Sequence, residues 1–582
     1  MSPNRLAGSR SPYLLMHAED PIDWRPWGKE ALAFARETQR PIFLSSGYSA
    51  CHWCHVMHRD SFTDPEIAEI LNESFVPVKV DRELRPDVDS VYMDYVVATT
   101  GHGGWPMSVF LSPEGLPLLG GTYFPKTPLP RTPAFREVVL TVRDVWQNDR
   151  ASAEKAGQAA LAFLAEQVAP KAAEPPTPPL IDYAAESMLR GSDQVHGGFG
   201  DAPKFPQAPV LLFLLAYAQR TGDPEVLYQT ESAVQAMLGG GIFDQAGGGI
   251  ARYATDEAWL VPHFEKMLYD NGLLLSVLGR LYALAQQDEY AHAARQTAAF
   301  LQRDLAAPGG GFYAALSADT DGVEGATYVW RYEELAEILT AEELQTAERH
   351  LGVTREGNWE GTNILTRREG REEEPEAVDR VLERILQARS GRPQPDVDTK
   401  VLTSWNALAA RGLMEAGGAI GDREMTGLGV AVVRTLLDAV SDAEVPRESS
   451  ERGGVRLLED HAALVAACLT AYETLGEESF LADAERLQSS AVERFEDGGL
   501  LYMTEADTEL PVRPREQGDT PTPSGPATLV ENALRLHALT GEQGYLEWAG
   551  AALPQFHKLE EFAPEHAGTS LLAAMRYLDT AR

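Results

Sequence analysis

The sequence predicts a multidomain chain of two classes, an α/β domain followed by an all-α (α/α)6 toroid. Strand and helix patterns alternate up to about residue 167, helical segments then succeed one another, and a glycine signature recurs between those segments. At 582 residues the chain exceeds what one hydrophobic core organises. The expected division is 1–167 for the α/β domain, 168–182 for a Pro- and Ala-rich linker, and 183–582 for the toroid.

In the first domain, Trp27 to Thr38 has helical spacing, and Pro41-Ile42-Phe43-Leu44 is a short strand running into Ser45-Ser46-Gly47. Cys51 to Met57 opens a helix, Pro65 to Asn72 has helical periodicity, and Phe75 to Val80 is a second strand. Met107 to Leu111 is a third, followed by the tight turn Ser112-Pro113-Glu114-Gly115 into Leu116 to Leu119. One helix is expected from Phe135 to Val168.

The second domain begins with helical patterns at Val210–Arg220, Val226–Leu238, Phe264–Gln286 and Ala291–Leu305. Further ones are Leu402–Gly417, Gly427–Ser441, Leu457–Leu475, Leu481–Phe495, Ala527–Leu539 and Thr569–Leu578. The glycine signature stands at Gly197-Gly198-Phe199, Gly247-Gly248-Gly249-Ile250, Gly309-Gly310-Gly311-Phe312, Gly453-Gly454-Val455 and Gly498-Gly499-Leu500. Glu360-Gly361-Thr362-Asn363-Ile364 is a weaker sixth, beside an acidic insertion around Glu372–Gln394. Helix pairs repeating with such loops fit a closed toroid whose loops line one rim of a central cavity.

Cys51-His52-Trp53-Cys54 follows a strand and opens a helix. The unpaired N–H groups and the dipole there stabilise a thiolate on Cys51, His52 and His55 add positive charge, and Cys54 is spaced to resolve a mixed disulfide. An accessible Cys51 sulfur is expected. Trp105-Pro106 directly precedes the strand at Met107, where thioredoxin-like folds place a cis proline against the cysteine pair. Three other readings stay open: c-type haem attachment through Cys51, Cys54 and His55; zinc held by Cys51, Cys54 and two of His52, His55 and His58; and a pair without turnover. Cys468, among Ala466, Ala467 and Leu469, reads as a buried small hydrophobe.

Ser11-Pro12-Tyr13-Leu14-Leu15, His17, Asp20-Pro21, Asp23-Trp24, Ser45-Ser46-Gly47-Tyr48 and Cys51 to Met57 resemble the spermatogenesis-associated thioredoxin-like protein family. Gly103-Gly104-Trp105-Pro106, Gly121 to Pro125, Ala202 to Pro206, Val261 to Asn271 and Leu402 to Asn406 extend the resemblance over nearly the whole chain. It implies a thioredoxin-like domain followed by a six-hairpin toroid like that of glycosidases and N-acylglucosamine epimerases. Asp60 and the Asp460-His461 pair depart from that pattern, where Glu and Asp-Tyr are expected.

The predicted toroid loops concentrate Arg252, Tyr253, Asp256, Glu257, Trp259, His263, Glu265, Asp319, Asp321, Trp405, Asn406 and Asp460. Aromatic platforms with carboxylates suit sugar rings, and an acid/base pair suits hydrolysis or epimerisation. The competing reading is that loop carboxylates arise by chance among 87 acidic residues.

The leading expectation is a thiol–disulfide oxidoreductase acting through Cys51 and Cys54 on a disulfide-bearing protein or small thiol. The alternatives are a carbohydrate-active toroid with a saccharide ligand and a non-catalytic scaffold. No cofactor and no resident metal are expected. A net charge of −37 argues against nucleic acid as a partner. Only nine Lys occur among fifty basic residues, which fits a high-salt cytosol or a genome favouring Arg codons. No apolar run long enough to span a membrane occurs, and the N-terminus lacks a secretory pattern, so a cytoplasmic location is expected.

Overall fold

The computed structural model describes residues 3–130, 132–169, 174–367, 375–449, 454–506 and 509–581. Gly453 of the glycine signature and parts of the expected linker and acidic insertion lie outside these residues. The chain forms two compact units, the first Met1–Pro170 with Tyr502–Arg515, the second Lys171–Leu501 with Glu516–Arg582.

The first unit is built on a five-stranded sheet of β1 (Arg25–Pro26), β2 (Ile42–Gly47), β3 (Val76–Asp81), β4 (Met107–Leu111) and β5 (Pro117–Gly121), in the order β1-β3-β2-β4-β5. β1, β3 and β2 are parallel, whereas β4 and β5 run antiparallel. The central strands are buried along their length, which is why they read as unbroken apolar runs rather than alternating ones. One face packs Leu44, Val78 and Val109 against Ala31, Val88 and Val96. An aromatic cluster of Phe43, Phe62, Phe110 and Phe135 covers the other.

The expected single helix from Phe135 is two, Phe135–Asn148 and Arg150–Val168, because Asp149 leaves helical geometry at φ −143°. Asn and Asp there favour a helix end over a helix interior. The segment 502–515 reads with the toroid in the sequence, yet its Leu510 and Val512 pack on the core of the first unit.

The second unit is an (α/α)6 ring. Its inner helices are Ala208–Thr221, Leu268–Ala285, Thr403–Ile420, Leu458–Leu475, Gly525–Thr540 and Gly568–Thr580. Each packs on the next, and the last returns to the first. Five outer helices follow their inner partners in sequence, whereas Gly568–Thr580 pairs with Pro178–Arg190, so the start and end of the unit close the ring together. That outer helix begins inside the expected linker.

Five of the glycine loops are outer-to-inner connections, so they share the rim at the inner helices' N-termini. The sixth connection runs through 553–567 instead. Glu360-Gly361 belongs to a hairpin of the insertion, where Tyr332–Ile338, Ala341–His350 and Pro375–Arg389 enclose a small core of their own. Helices Leu268–Ala285 and Thr403–Ile420 cross at backbone contact. A Cβ on Gly412 would overlap the Gly272 carbonyl, and one on Gly272 would overlap Ala409. Among the described residues no helix is long and apolar enough to cross a membrane.

Candidate functional site

Strand β2 delivers the cysteine pair. After Gly47 the chain turns through Tyr48–Ala50, and Cys51 becomes the N-cap of helix His52–Met57. The Cys54 N–H points at Cys51 Sγ, 3.2 Å away. The two cysteines are joined as a disulfide, with Cα atoms 5.3 Å apart. Antiparallel register pairs Ser46 with Met107, which brings Pro106 level with Gly47, and the Trp105–Pro106 bond is cis.

The surroundings correct the expected exposure. Cys51 is only 3% exposed and Cys54 1%, while neighbouring Trp53 is 48% exposed and packs its ring 5.0 Å from Tyr123. The histidines also turn away from a shared ligand set. His55 donates from Nε2 to the Ser49 carbonyl at 2.8 Å, and His58 donates from Nε2 to Asp20 at 2.7 Å. His52 lies edge-on to Trp53. The cysteine–histidine zinc set therefore does not converge.

Behind the disulfide lies a buried polar group. Asp20 accepts hydrogen bonds from His17 Nδ1 at 2.8 Å, His58 Nε2 at 2.7 Å and Trp24 Nε1 at 2.9 Å. Burial works against that carboxylate, but the two histidine hydrogen bonds outweigh it and hold its carboxyl well below the usual range. The His17, Asp20 and His58 ligand atoms lie within 4.8 Å of one another, as in a metal site. Each nitrogen, however, is at hydrogen-bond distance from its own carboxylate oxygen, and a cation stands beside them. That cation is Lys79, fully buried on β3 and donating to Ser45 Oγ at 3.0 Å. The Tyr13, Trp24 and Phe62 rings surround its amine at 5.1, 5.1 and 4.4 Å. Desolvation pushes the Lys79 amine down to about 7, with the Asp20 charge opposing.

In the ring, Arg252, Tyr253, His263 and Glu265 do come together. Arg252 pairs with buried Glu265 at 3.0 Å, and His263 donates from Nδ1 to Glu324 at 2.8 Å with its ring stacked on Tyr253. Asp270 stands nearby, its carboxyl raised well above the usual range by burial, with Arg252 opposing and Glu265 adding to the rise. Glu324 and the exposed Asp321 also line a cleft of about 540 Å³ bordered by Trp359 and Arg392.

Most of the other predicted cavity residues bond or pack within the fold. Asp256 accepts from the Ala258, Leu260 and Val261 N–H groups and so ties its own loop. Glu257 is exposed and faces His196 at 3.8 Å. Trp259 is 1% exposed and donates to the Gly197 carbonyl, so it is no sugar platform. Trp405 is buried edge-on against Tyr269. Asn406 bonds the Phe312 N–H and carbonyl, as Asn271 bonds those of Ile250, clamping each glycine loop to the next inner helix. Asp460 is buried and bonds Arg447 and the Ser404 N–H, each at 2.9 Å. Asp319 is buried in a two-residue strand.

The DsbH thioredoxin-type family, described as a protein of unknown function (DUF255), matches residues 3–165. Spermatogenesis-associated protein 20 of Homo sapiens is 36% identical over 95% of this chain and 78% of its own. The chain belongs to the spermatogenesis-associated protein 20 family. An uncharacterised Caenorhabditis elegans protein is 34% identical over 94% of this chain and 82% of its own. Among solved structures, a sugar epimerase from a ruminal bacterium is 12% identical, with a TM-score of 0.46 over 66% of this chain and 85% of its own. The cellobiose 2-epimerase of Spirochaeta thermophila is 14% identical, with a TM-score of 0.45 over 69% of this chain and 98% of its own.

For this family member, sequence reasoning missed Lys79; it counted Glu324 among the loop acids and Asp270 as a helix residue bonding across hairpins, without the groups that they join. Lys79 had a signal, a lone cation inside the apolar run Val76-Pro77-Val78-Lys79-Val80. The pairing of Glu324 with His263 had none, because it spans 61 residues.

Proposed function

We propose that the first unit is a thiol–disulfide redox module, with Cys51 as the attacking sulfur and Cys54 as the resolving one. The observation that carries this is the Cys51–Cys54 bond at a helix N-cap, level with Pro106 and backed by buried titratable groups. In the reducing direction, the Cys51 thiolate attacks a partner disulfide and Cys54 displaces the partner thiol. Burial of both sulfurs favours a small thiol or an extended peptide over a bulky folded disulfide.

The test is reduction of glutathione disulfide and of an extended disulfide peptide by the dithiothreitol-reduced protein. Cys51→Ser is expected to abolish turnover and Cys468→Ser to preserve it. No turnover by the wild-type protein with either substrate would end this reading.

A second reading attaches to the ring, because the His263–Glu324 pair reaches a cleft large enough for a small hydroxylated ligand. A saccharide screen by thermal shift is expected to give a response that Glu324→Gln removes. A blank screen would withdraw it.

A further inference from the structure

The cleft that Glu324 borders is unevenly charged. Four carboxylates line it, from Asp321, Glu324, Glu334 and Glu360, against two cations, Arg331 and Arg392. One acid takes both cations. Arg331 Nη2 and Arg392 Nη2 donate to Glu334 at 3.0 and 3.1 Å, and Arg392 Nη1 donates to the Val329 carbonyl at 2.8 Å with its guanidinium over the Trp330 ring. Glu324 accepts from His263 through one oxygen. Among the described residues nothing bonds its other oxygen, or the carboxylates of Asp321 and Glu360. An anionic ligand would meet two guanidinium groups that are already paired, whereas a cationic one would meet three carboxylates with open oxygens.

Two of these acids stand at hairpin tips. Asp321-Gly322 turns the pair Thr320 and Val323, and Glu360-Gly361 turns the pair Trp359 and Thr362. Asp321 and Glu360 have φ of 52° and 48°, and both glycines 78°, the two-residue turn that favours Asn, Asp or Gly at its first position. Asp321 meets that preference. Glu360 does not, and its exposed side chain gives the fold nothing that Asn would not give better.

The carboxylates are also spread apart. Among the described residues only His17, Asp20 and His58 are spaced to hold an ion, so no three of the cleft acids converge on a bare metal cation. A charge carried on a larger body fits that spread. The body has a wall to lie against, the Trp359 ring, half-buried 5.6 Å from the Phe264 ring. Carboxylates accept from hydroxyls as well as from ammonium groups, so the remaining oxygens suit a hydroxylated frame.

We infer that the cleft takes an amino sugar, a hydroxylated ring bearing a free ammonium group, with Asp321 and Glu360 receiving the ammonium and Trp359 facing the ring. This rests on the second reading above and names its ligand class. Sugar phosphates and uronic acids are disfavoured by the same open carboxylates.

The experiment is isothermal titration calorimetry of the full-length protein with glucosamine, glucose and putrescine, at a pH where the amines are charged. Glucosamine is expected to bind at least about tenfold more tightly than glucose, as one charge-assisted hydrogen bond provides. It should also exceed putrescine, which has the charge without the ring. Asp321→Asn and Glu360→Asn should each lower the preference for glucosamine over glucose severalfold. Asn is at ease in both turns, so Glu360→Asn should also raise the melting temperature, which loss of a structural contact would not do. Sodium chloride should narrow the preference by screening. Glucose binding as tightly as glucosamine, or an unchanged preference in both variants, would overturn the amino-sugar assignment and leave the saccharide reading standing. Putrescine binding as tightly as glucosamine would overturn it by showing that charge alone is recognised. No heat from either sugar, with a blank saccharide screen, would remove both.

Discussion

Glu560 shows at single-residue scale how burial couples this fold to pH. It is 1% exposed, and burial raises its carboxyl to about 7, with a Ser570 hydrogen bond opposing. The unfolded carboxyl titrates at about 4.3. Between those values the folded chain binds the extra proton, so Glu560 contributes stability at low pH that is lost as pH rises toward 7. Glu560→Gln is therefore expected to raise the melting temperature at pH 8 more than at pH 5. An equal shift at both would refute the assignment. The residue scale is also where the sequence was least legible. The closeness of Cys51, Cys54 and Pro106 was legible because each sits at a strand end or a helix start. Trp259, Trp405 and Asn406 read as candidate cavity residues because composition cannot tell a side chain lining a cavity from one clamping a loop.

Among elements, the crossing of Leu268–Ala285 and Thr403–Ile420 makes a controlled prediction. Gly412 lies against the Gly272 carbonyl, whereas Gly418 of the same helix has open space around it. Gly412→Ala should destabilise by about 1–3 kcal/mol through overpacking. Gly418→Ala should stabilise by about 0.5–1 kcal/mol, because alanine loses less backbone freedom in a helix. Thermal or urea melts of the two variants check the contrast, and equal effects would mean the helices do not touch there. Helix existence was well legible from 3.6-residue periodicity, and Met107–Leu111 was located to the residue. The break at Asp149 was missed because the apolar pattern runs on across it. The weak glycine signature at Gly361 was misread because a hairpin inside an insertion and a connection between helix pairs ask the same freedom of glycine.

For the molecule as a whole, an excess of 37 negative charges opposes compaction wherever like charges lie within a Debye length. The melting temperature is expected to rise as sodium chloride goes from about 0.05 to 0.5 M, because screening shortens that length severalfold. A flat profile would mean that local pairing such as Arg434–Glu477 already offsets the excess. The ring was legible because it repeats, and its closure by first and last helices follows from six pairs having to bury their sides. The segment 502–515 carries no such pattern, since a strap held by Leu510, Val512 and the 3.0 Å bond from Arg515 to the Val168 carbonyl has no period to detect.

That strap makes the order of synthesis matter. A ribosome finishes residue 170 long before it reaches 502, and at about 5–20 residues per second the gap is roughly 20–60 s. Throughout that wait the nascent first unit lacks Leu510 and Val512 on its core, leaving apolar surface of the kind that chaperones and proteases patrol. Leu510→Ala with Val512→Ala should prolong the vulnerable state into the finished protein, seen as faster tryptic cleavage within residues 86–164. Cleavage at the wild-type rate would show the strap to be dispensable.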